Sequence, residues 1–369
     1  MKVLVIGFAK LKIMPYMHFY INNIDTKVHD VHLLYWNRDL KEENTSKYIN
    51  LTFHEFKCFQ EDEVDKWKKL RSFYRYRKFS IDVINSNDFD FIIILHSLPG
   101  ILLLDKLKSD FAGKYILDYR DSTFEDLYPF RKLLGTLIKY SKCTFTSSDA
   151  FRCYFPNKFN DKIFTSHNIL EDSLNHRNHD TTKSNKVRVA FWGQIRHEKI
   201  NKQLMDRLGN DVRFELHYYG REQNIALALK EYAKEANFEN VYFHGEYIPE
   251  ERYEFVRKTD IIHNIYLDDN TLLAMGNKYY DGVIFRIPQV CMTGSFMGEL
   301  CEKYGIGISL DPYDKSFADN LFIYYKSIVI KDFYDSCDKE LERVLCEYKE
   351  GCKLLSIIFK KDEQHNFRD

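Results

Sequence analysis

Short apolar runs alternate along the chain with longer amphipathic ones. Residues 3–7, 31–36, 51–56, 91–96, 115–118, 144–147 and 163–167 read as strands, and residues 62–79, 98–110, 123–140 and 148–155 as helices. Apolar strands alternating with helices predict a parallel sheet covered on both faces. A polar stretch with a single leucine, residues 171–185, breaks the pattern and reads as a linker. His176 and His179 within it have metal-like spacing but belong to that solvated stretch. The alternation then restarts, with strands at 187–193, 214–220, 241–245, 261–264, 288–292 and 307–310. Helices fall at 198–208, 222–236, 249–257, 277–285, 296–304 and 315–329. Residues 333–360 form a last helix. Its Leu341, Leu345, Tyr348, Cys352, Leu355 and Phe359 are spaced to share one face.

These patterns predict an α/β protein of two Rossmann-like domains facing a central cleft. The first covers residues 1–172 and the second 186–330, with a C-terminal segment, 331–369, packing across both. A chain of 369 residues also exceeds the usual size of one hydrophobic core. With 54 Lys+Arg against 55 Asp+Glu, a polycationic nucleic-acid binder is excluded. The eight cysteines form no C-x-x-C pair, which predicts free thiols and no zinc knuckle. The apolar runs at 91–95 and 101–104 are far shorter than the ~20 residues of a membrane span. The apolar start at residues 3–7 reads as a strand, not a secretory leader. A cytoplasmic protein is expected.

Ligands of open parallel sheets bind beyond the carboxyl ends of the strands, so candidate chemistry is sought there. Gly193 closes a predicted strand and a helix begins near Glu198. Helix-start amides attract phosphate, and Arg196 and Lys199 add positive charge. At Gly276-Asn277-Lys278-Tyr279-Tyr280-Asp281 a second helix starts, with Asn277 as its cap. There Lys278 is placed to reach a phosphate, and Asp281, one turn on, to accept ribose hydroxyls. His96 and the Arg120-Asp121 pair also follow strands; a structural histidine and a structural ion pair remain equal readings of them. Asp88-Phe89-Asp90 imitates an Asp-x-Asp metal motif but precedes its strand, so no metal is expected. The densest charge cluster is residues 66–78. Trp67, Leu70 and Tyr74 share a helical face there, with Lys68, Lys69, Arg71 and Arg75 around it. Such a helix suits an anionic membrane surface.

The second half resembles the donor domain of GT-B glycosyltransferases of the family 4 type. The residues that carry the likeness are Gly193 with Glu198-Lys199, Gly220 after a strand, Val241-Tyr242-Phe243-His244-Gly245, and Asn277-Lys278-Tyr279-Tyr280-Asp281 with Pro288 seven residues on. In the first half, Leu117-Asp118-Tyr119-Arg120-Asp121 and Thr165-Ser166-His167-Asn168 resemble segments of bacterial polysaccharide members. Gln194 stands where the family often has Arg, and Leu273 where it often has the first of two glutamates. The resemblance implies transfer, with retention, from a UDP- or GDP-linked nucleotide-sugar, without metal or bound cofactor. The acceptor would be a lipid-linked oligosaccharide of capsule, O-antigen or exopolysaccharide synthesis, at the inner face of the cell membrane. It implies a donor site of Gly193, Arg196, Lys199, Gly245, Asn277, Lys278 and Asp281. Arg120 and Asp121 would lie near the acceptor and the transferred sugar, while His96 is a catalytic candidate from its place after a strand. Two alternatives stay open: a nucleotide-sugar epimerase of the same fold, and a catalytically silent partner of another transferase.

Overall fold

The computed structural model describes residues 1–46, 48–60, 65–169, 171–177 and 184–360. It divides into two compact units: Met1–His167 together with the chain from Cys346 onward, and Asn168–Leu345.

The first unit is built on β1 (Lys2–Ile6), β2 (Asp30–Asn37), β3 (Leu51–Lys57), β4 (Phe91–Leu95), β5 (Tyr115–Tyr119), β6 (Cys143–Thr146) and β7 (Ile163–Thr165). All pairings are parallel, in the order β3-β2-β1-β4-β5-β6-β7. β4 reads Phe-Ile-Ile-Ile-Leu and is buried throughout, because helices cover both faces of a central parallel strand. The edge strand β3 keeps most of its residues partly exposed. Its helices are α1 (Met17–Ile21), α2 (Lys66–Asn85), α3 (Ser97–Leu102), α4 (Leu104–Ser109) and α5 (Tyr128–Tyr140). The single helix expected over 98–110 is therefore two. At Leu103 the backbone leaves helical geometry, and its N–H is shared between the carbonyls of Pro99 and Gly100. α1 was not anticipated, since five residues are too few to show a period. The expected helix at 148–155 is a 3-10 segment, Asp149–Tyr154, followed by another at Asn157–Lys162.

The second unit carries β8 (Val187–Trp192), β9 (Phe214–Tyr219), β10 (Val241–Gly245), β11 (Ile261–Asn264), β12 (Gln289–Met292) and β13 (Gly307–Leu310). They form a parallel sheet in the order β10-β9-β8-β11-β12-β13. Its helices are α6 (Glu198–Leu208), α7 (Asn224–Glu235), α8 (Arg252–Val256), α9 (Asp269–Leu273), α10 (Asn277–Ile284), α11 (Phe296–Tyr304) and α12 (Phe317–Ser327). The last helix, α13 (Ile330–Phe359), serves both units. Phe333, Cys337, Leu341 and Val344 enter the core beneath α10, whereas Leu355 and Phe359 enter the first unit's core with Phe19, Phe91 and Phe145.

The expected linker is corrected in its first part. Glu171–His176 is a 3-10 segment in which Ser173 is buried and the His176 ring stacks on Tyr253 at 3.6 Å. Arg177 pairs with Asp338. A polar sequence is docked here by partners far along the chain. Residues 178–183, with His179, lie outside the described residues, as do 361–369 of the tail. In both sheets the strand order reverses beside the first strand, between β1 and β4 and between β8 and β11. These reversal points are where open α/β sheets bind ligands.

Candidate functional site

In the second unit the chain leaves β8 at Gly193, whose φ of +118° suits only glycine. Gly220, after β9, lies so close that a Cβ there would stand 1.9 Å from the Gly193 carbonyl oxygen. The two strand ends thus meet with bare backbone. Gly245, with φ +81°, accepts the Gly220 N–H through its carbonyl at 2.8 Å. The loop continues to His197, in left-handed geometry just before α6, with Nδ1 3.4 Å from the Asp268 carboxylate.

Lys278, the second residue of α10, points into this reversal point. Its ammonium lies 4.2 Å from the ring centroid of Phe191 on β8 and 5.4 Å from that of Tyr266, just after β11. It stands 3.9 Å from the point a Gly193 Cβ would occupy. Burial pushes its pKa down to about 8, with Asp281 pulling upward and Arg196 downward. Beneath Phe191 the His263 ring stacks at 5.0 Å, with both nitrogens unpartnered among the described residues and its pKa pushed by burial down to about 3. The cation therefore sits above a neutral aromatic stack, with no carboxylate in hydrogen-bonding contact among the described residues.

The other expected donor residues fall in three environments. Arg196 is exposed and donates to the Gln194 side chain, which in turn donates to Gln223 at 3.2 Å. Lys199 is exposed in the first turn of α6. Asn277 is not the cap: Gly276 takes that place, and Asn277 Oδ1 accepts from Asn168 at 2.7 Å. Asp281 is only 4% exposed. Its Oδ2 accepts the Trp192 indole N–H at 2.8 Å, and its Oδ1 lies 3.4 Å from the Arg252 guanidinium. Arg252 also donates to Ser173 at 2.7 Å. Burial raises the Asp281 carboxyl pKa, opposed by Arg252 and Trp192. The carboxylate expected to accept ribose hydroxyls is thus committed to an interior network.

In the first unit His96 follows β4 directly at the reversal point. It holds φ 89° and ψ 150°, a region costly for any side chain. Its ring accepts the Leu98 N–H, and burial lowers its pKa against the raising pull of Asp121, Glu125 and Asp118. Asp121 is exposed one residue beyond Arg120. Arg120 itself is buried. It donates to Asp118 at 2.7 Å and to the Ser166 hydroxyl at 2.9 Å, under the Tyr16 ring. Arg120 is thereby engaged at the strand end with Asp118, a partner that the Arg120-Asp121 reading did not name. On α2, Trp67, Leu70 and Tyr74 are 78%, 61% and 68% exposed. Lys68, Arg71 and Arg75 flank them in solvent, and Lys69 is half-buried. Among the described residues no group of three or more metal-ligating side chains is arranged to hold an ion, and no helix is long and apolar enough to cross a membrane.

No protein-family profile matches the chain, and no curated protein sequence matches it significantly. Solved structures do match over nearly the whole length. A glycosyltransferase from Rickettsia africae is 11% identical, with 98% of this chain and 99% of that one covered at a TM-score of 0.67. Anabaena HepE in complex with UDP is 12% identical, with 97% and 100% covered at 0.68. The fold is GT-B. Sucrose-phosphate synthase from Thermosynechococcus elongatus shares it, at 9% identity, 97% and 98% coverage and 0.68. Such identities speak for the fold alone. Within the GT-B frame, reading the sequence missed Arg252, Tyr266 and His263. The first lies in a five-residue helix, and the others in or beside a four-residue strand; no spacing ties any of them to Lys278 or Asp281.

Proposed function

We propose that the protein is a glycosyltransferase of the family 4 type. It moves a sugar from a UDP- or GDP-linked donor to a lipid-linked glycan acceptor in bacterial surface-polysaccharide synthesis, with retention. The observation that carries this reading is Lys278: a desolvated cation held over Phe191 and Tyr266, beside the bare backbone of Gly193, at the sheet's reversal point. An ammonium without an anionic hydrogen-bond partner in a low-dielectric setting is suited to a diphosphate. The GT-B fold supports the same reading.

In the transfer, the bond from the sugar's anomeric carbon to the diphosphate oxygen breaks and one to the acceptor oxygen forms. The acceptor's proton passes to the leaving diphosphate. Lys278, with Arg196 and Lys199 nearer the surface, offsets the charge that develops there. In the first unit His96 and Asp121 serve the acceptor, and in the second Asp281 holds α10 so that Lys278 is aimed. The basic, aromatic face of α2 docks the protein on the cytoplasmic leaflet. Calorimetric titration with UDP and GDP, followed by a donor-turnover assay with and without glycan acceptor, tests the reading. Absence of nucleoside-diphosphate binding overturns it. Turnover of donor to an epimer without acceptor favours the epimerase, and binding without turnover the silent partner.

A further inference from the structure

Along the first unit, α5 and the two 3-10 segments Asp149–Tyr154 and Asn157–Lys162 enclose an open groove of about 540 Å³. Arg131, Lys132 and Lys139 line it from α5, Lys158 lines it from the opposite wall, and among the described residues no carboxylate lines it. None of the four forms an ion pair among the described residues; Lys132 and Lys158 lie instead over the rings of Tyr128 and Phe159, at 4.7 and 5.1 Å. The floor is apolar, formed by Phe155 and Pro156. Gly135 admits Pro156 so closely that a Cβ there would meet its ring at 3.0 Å.

The groove runs along α5 to its first turn, where Tyr128 lines it, beyond the carboxyl end of β5, the sheet end that also carries His96. Just before and at the start of α5, Phe124, Leu127 and Tyr128 stand exposed. α3 packs against both α2 and α5, so the groove's α5 wall and the exposed Trp67 stripe belong to one helical layer of the unit. Four cations without an ion-pair partner among the described residues, above an apolar floor and beside exposed apolar side chains, match an amphiphile with an anionic head. A free anion would leave the floor and those side chains unused, and a neutral lipid would leave the cations unused.

We propose that this groove binds the phosphate head and first carbons of a phosphate-headed lipid. The proposal rests on the reading of the first unit as the acceptor side, and it names the part of the acceptor that unit holds. The test is calorimetric titration of the full chain, saturated with UDP, with farnesyl diphosphate below its micellar concentration. Inorganic pyrophosphate, farnesol and a glutamate-rich peptide are the comparison arms. Farnesyl diphosphate is expected to bind about tenfold tighter than pyrophosphate, since burying even two methylenes gives that factor. Arg131→Ser with Lys158→Ser is expected to weaken it about tenfold or more by removing two charged contacts. Thr136→Trp, which fills the groove and keeps all four cations, is expected to weaken it as much. Pyrophosphate binding as tightly as farnesyl diphosphate, an acidic peptide binding more tightly, or Thr136→Trp leaving affinity unchanged would each overturn the proposal. UDP affinity is measured on the same samples. Its loss in wild type would strike the donor reading and leave the groove's result standing.

Discussion

The Trp192 indole N–H donates to Asp281 Oδ2 at 2.8 Å, which ties the last residue of β8 to the inner face of α10. One turn earlier on that helix is Lys278, whose ammonium the same tie sets over Phe191. Removing the carboxylate leaves the indole N–H and the buried Arg252 without their anion. Asp281→Ala is therefore expected to lower unfolding stability by about 3–5 kcal/mol, the usual cost of breaking a buried pair from one side. Asp281→Asn keeps an acceptor for the indole and loses less. Urea unfolding measures both. If Asp281→Asn is as stable as wild type but no longer binds UDP, the carboxylate is a ribose ligand after all.

Lys278 carries the phosphate prediction. A charge-assisted hydrogen bond is worth about 1.5–3 kcal/mol, so Lys278→Met should weaken UDP roughly 10- to 150-fold. With its pKa lowered by burial to about 8, the free amine is charged below that pH and neutral above it. Bound diphosphate favours the charged form, so binding takes up a proton above pH 8 and affinity falls as pH rises. Lys278→Arg, charged throughout, should flatten the profile. Titrations between pH 6.5 and 9.5, a window of about 1.5 units either side, check both claims. A flat wild-type profile would remove Lys278 from the phosphate site.

His96 and Arg120 should separate activity from stability. His96 holds a backbone conformation that costs side chains of order 1–3 kcal/mol, so His96→Gly is expected to stabilise the fold by about 1 kcal/mol while transfer collapses. Arg120→Ala should do the reverse. It strands the buried Asp118 and costs about 3–5 kcal/mol, with the protein that remains folded still binding donor. Thermal unfolding and initial-rate assays on both variants decide. A His96→Gly enzyme of full activity would make the strain structural.

The α2 face predicts salt-sensitive docking. Polybasic segments gain about 1 kcal/mol per basic residue near an anionic surface, and the attraction decays within a Debye length. The protein should sediment with anionic vesicles, not neutral ones, and be released by high salt. Replacing Lys68, Lys69, Arg71 and Arg75 by Ser should abolish this and leave UDP affinity unchanged. Equal loss of both would mean that α2 is needed for the fold.

The repeating local pattern by itself determined the two α/β halves. The Phe91–Leu95 run is apolar because both of its faces are covered, and the stripe from Leu341 to Phe359 marks one face of one helix, whichever core each residue enters. Gly193 was legible for the same reason: strand, glycine and helix start are neighbours in sequence. What only the tertiary structure decided are pairings between distant positions. Residue types do not tell whether Asp281 faces a ligand or faces Trp192 and Arg252, nor whether Arg120 reaches outward or back to Asp118. The docking of residues 171–177 depends on Arg252, Tyr253 and Asp338, which no local period connects to it. The break at Leu103 and the short α1 escaped for a related reason: a helical period needs more than one turn to be seen. Periodicity reports which face a residue occupies; which partner awaits it there is set by packing across the whole sheet.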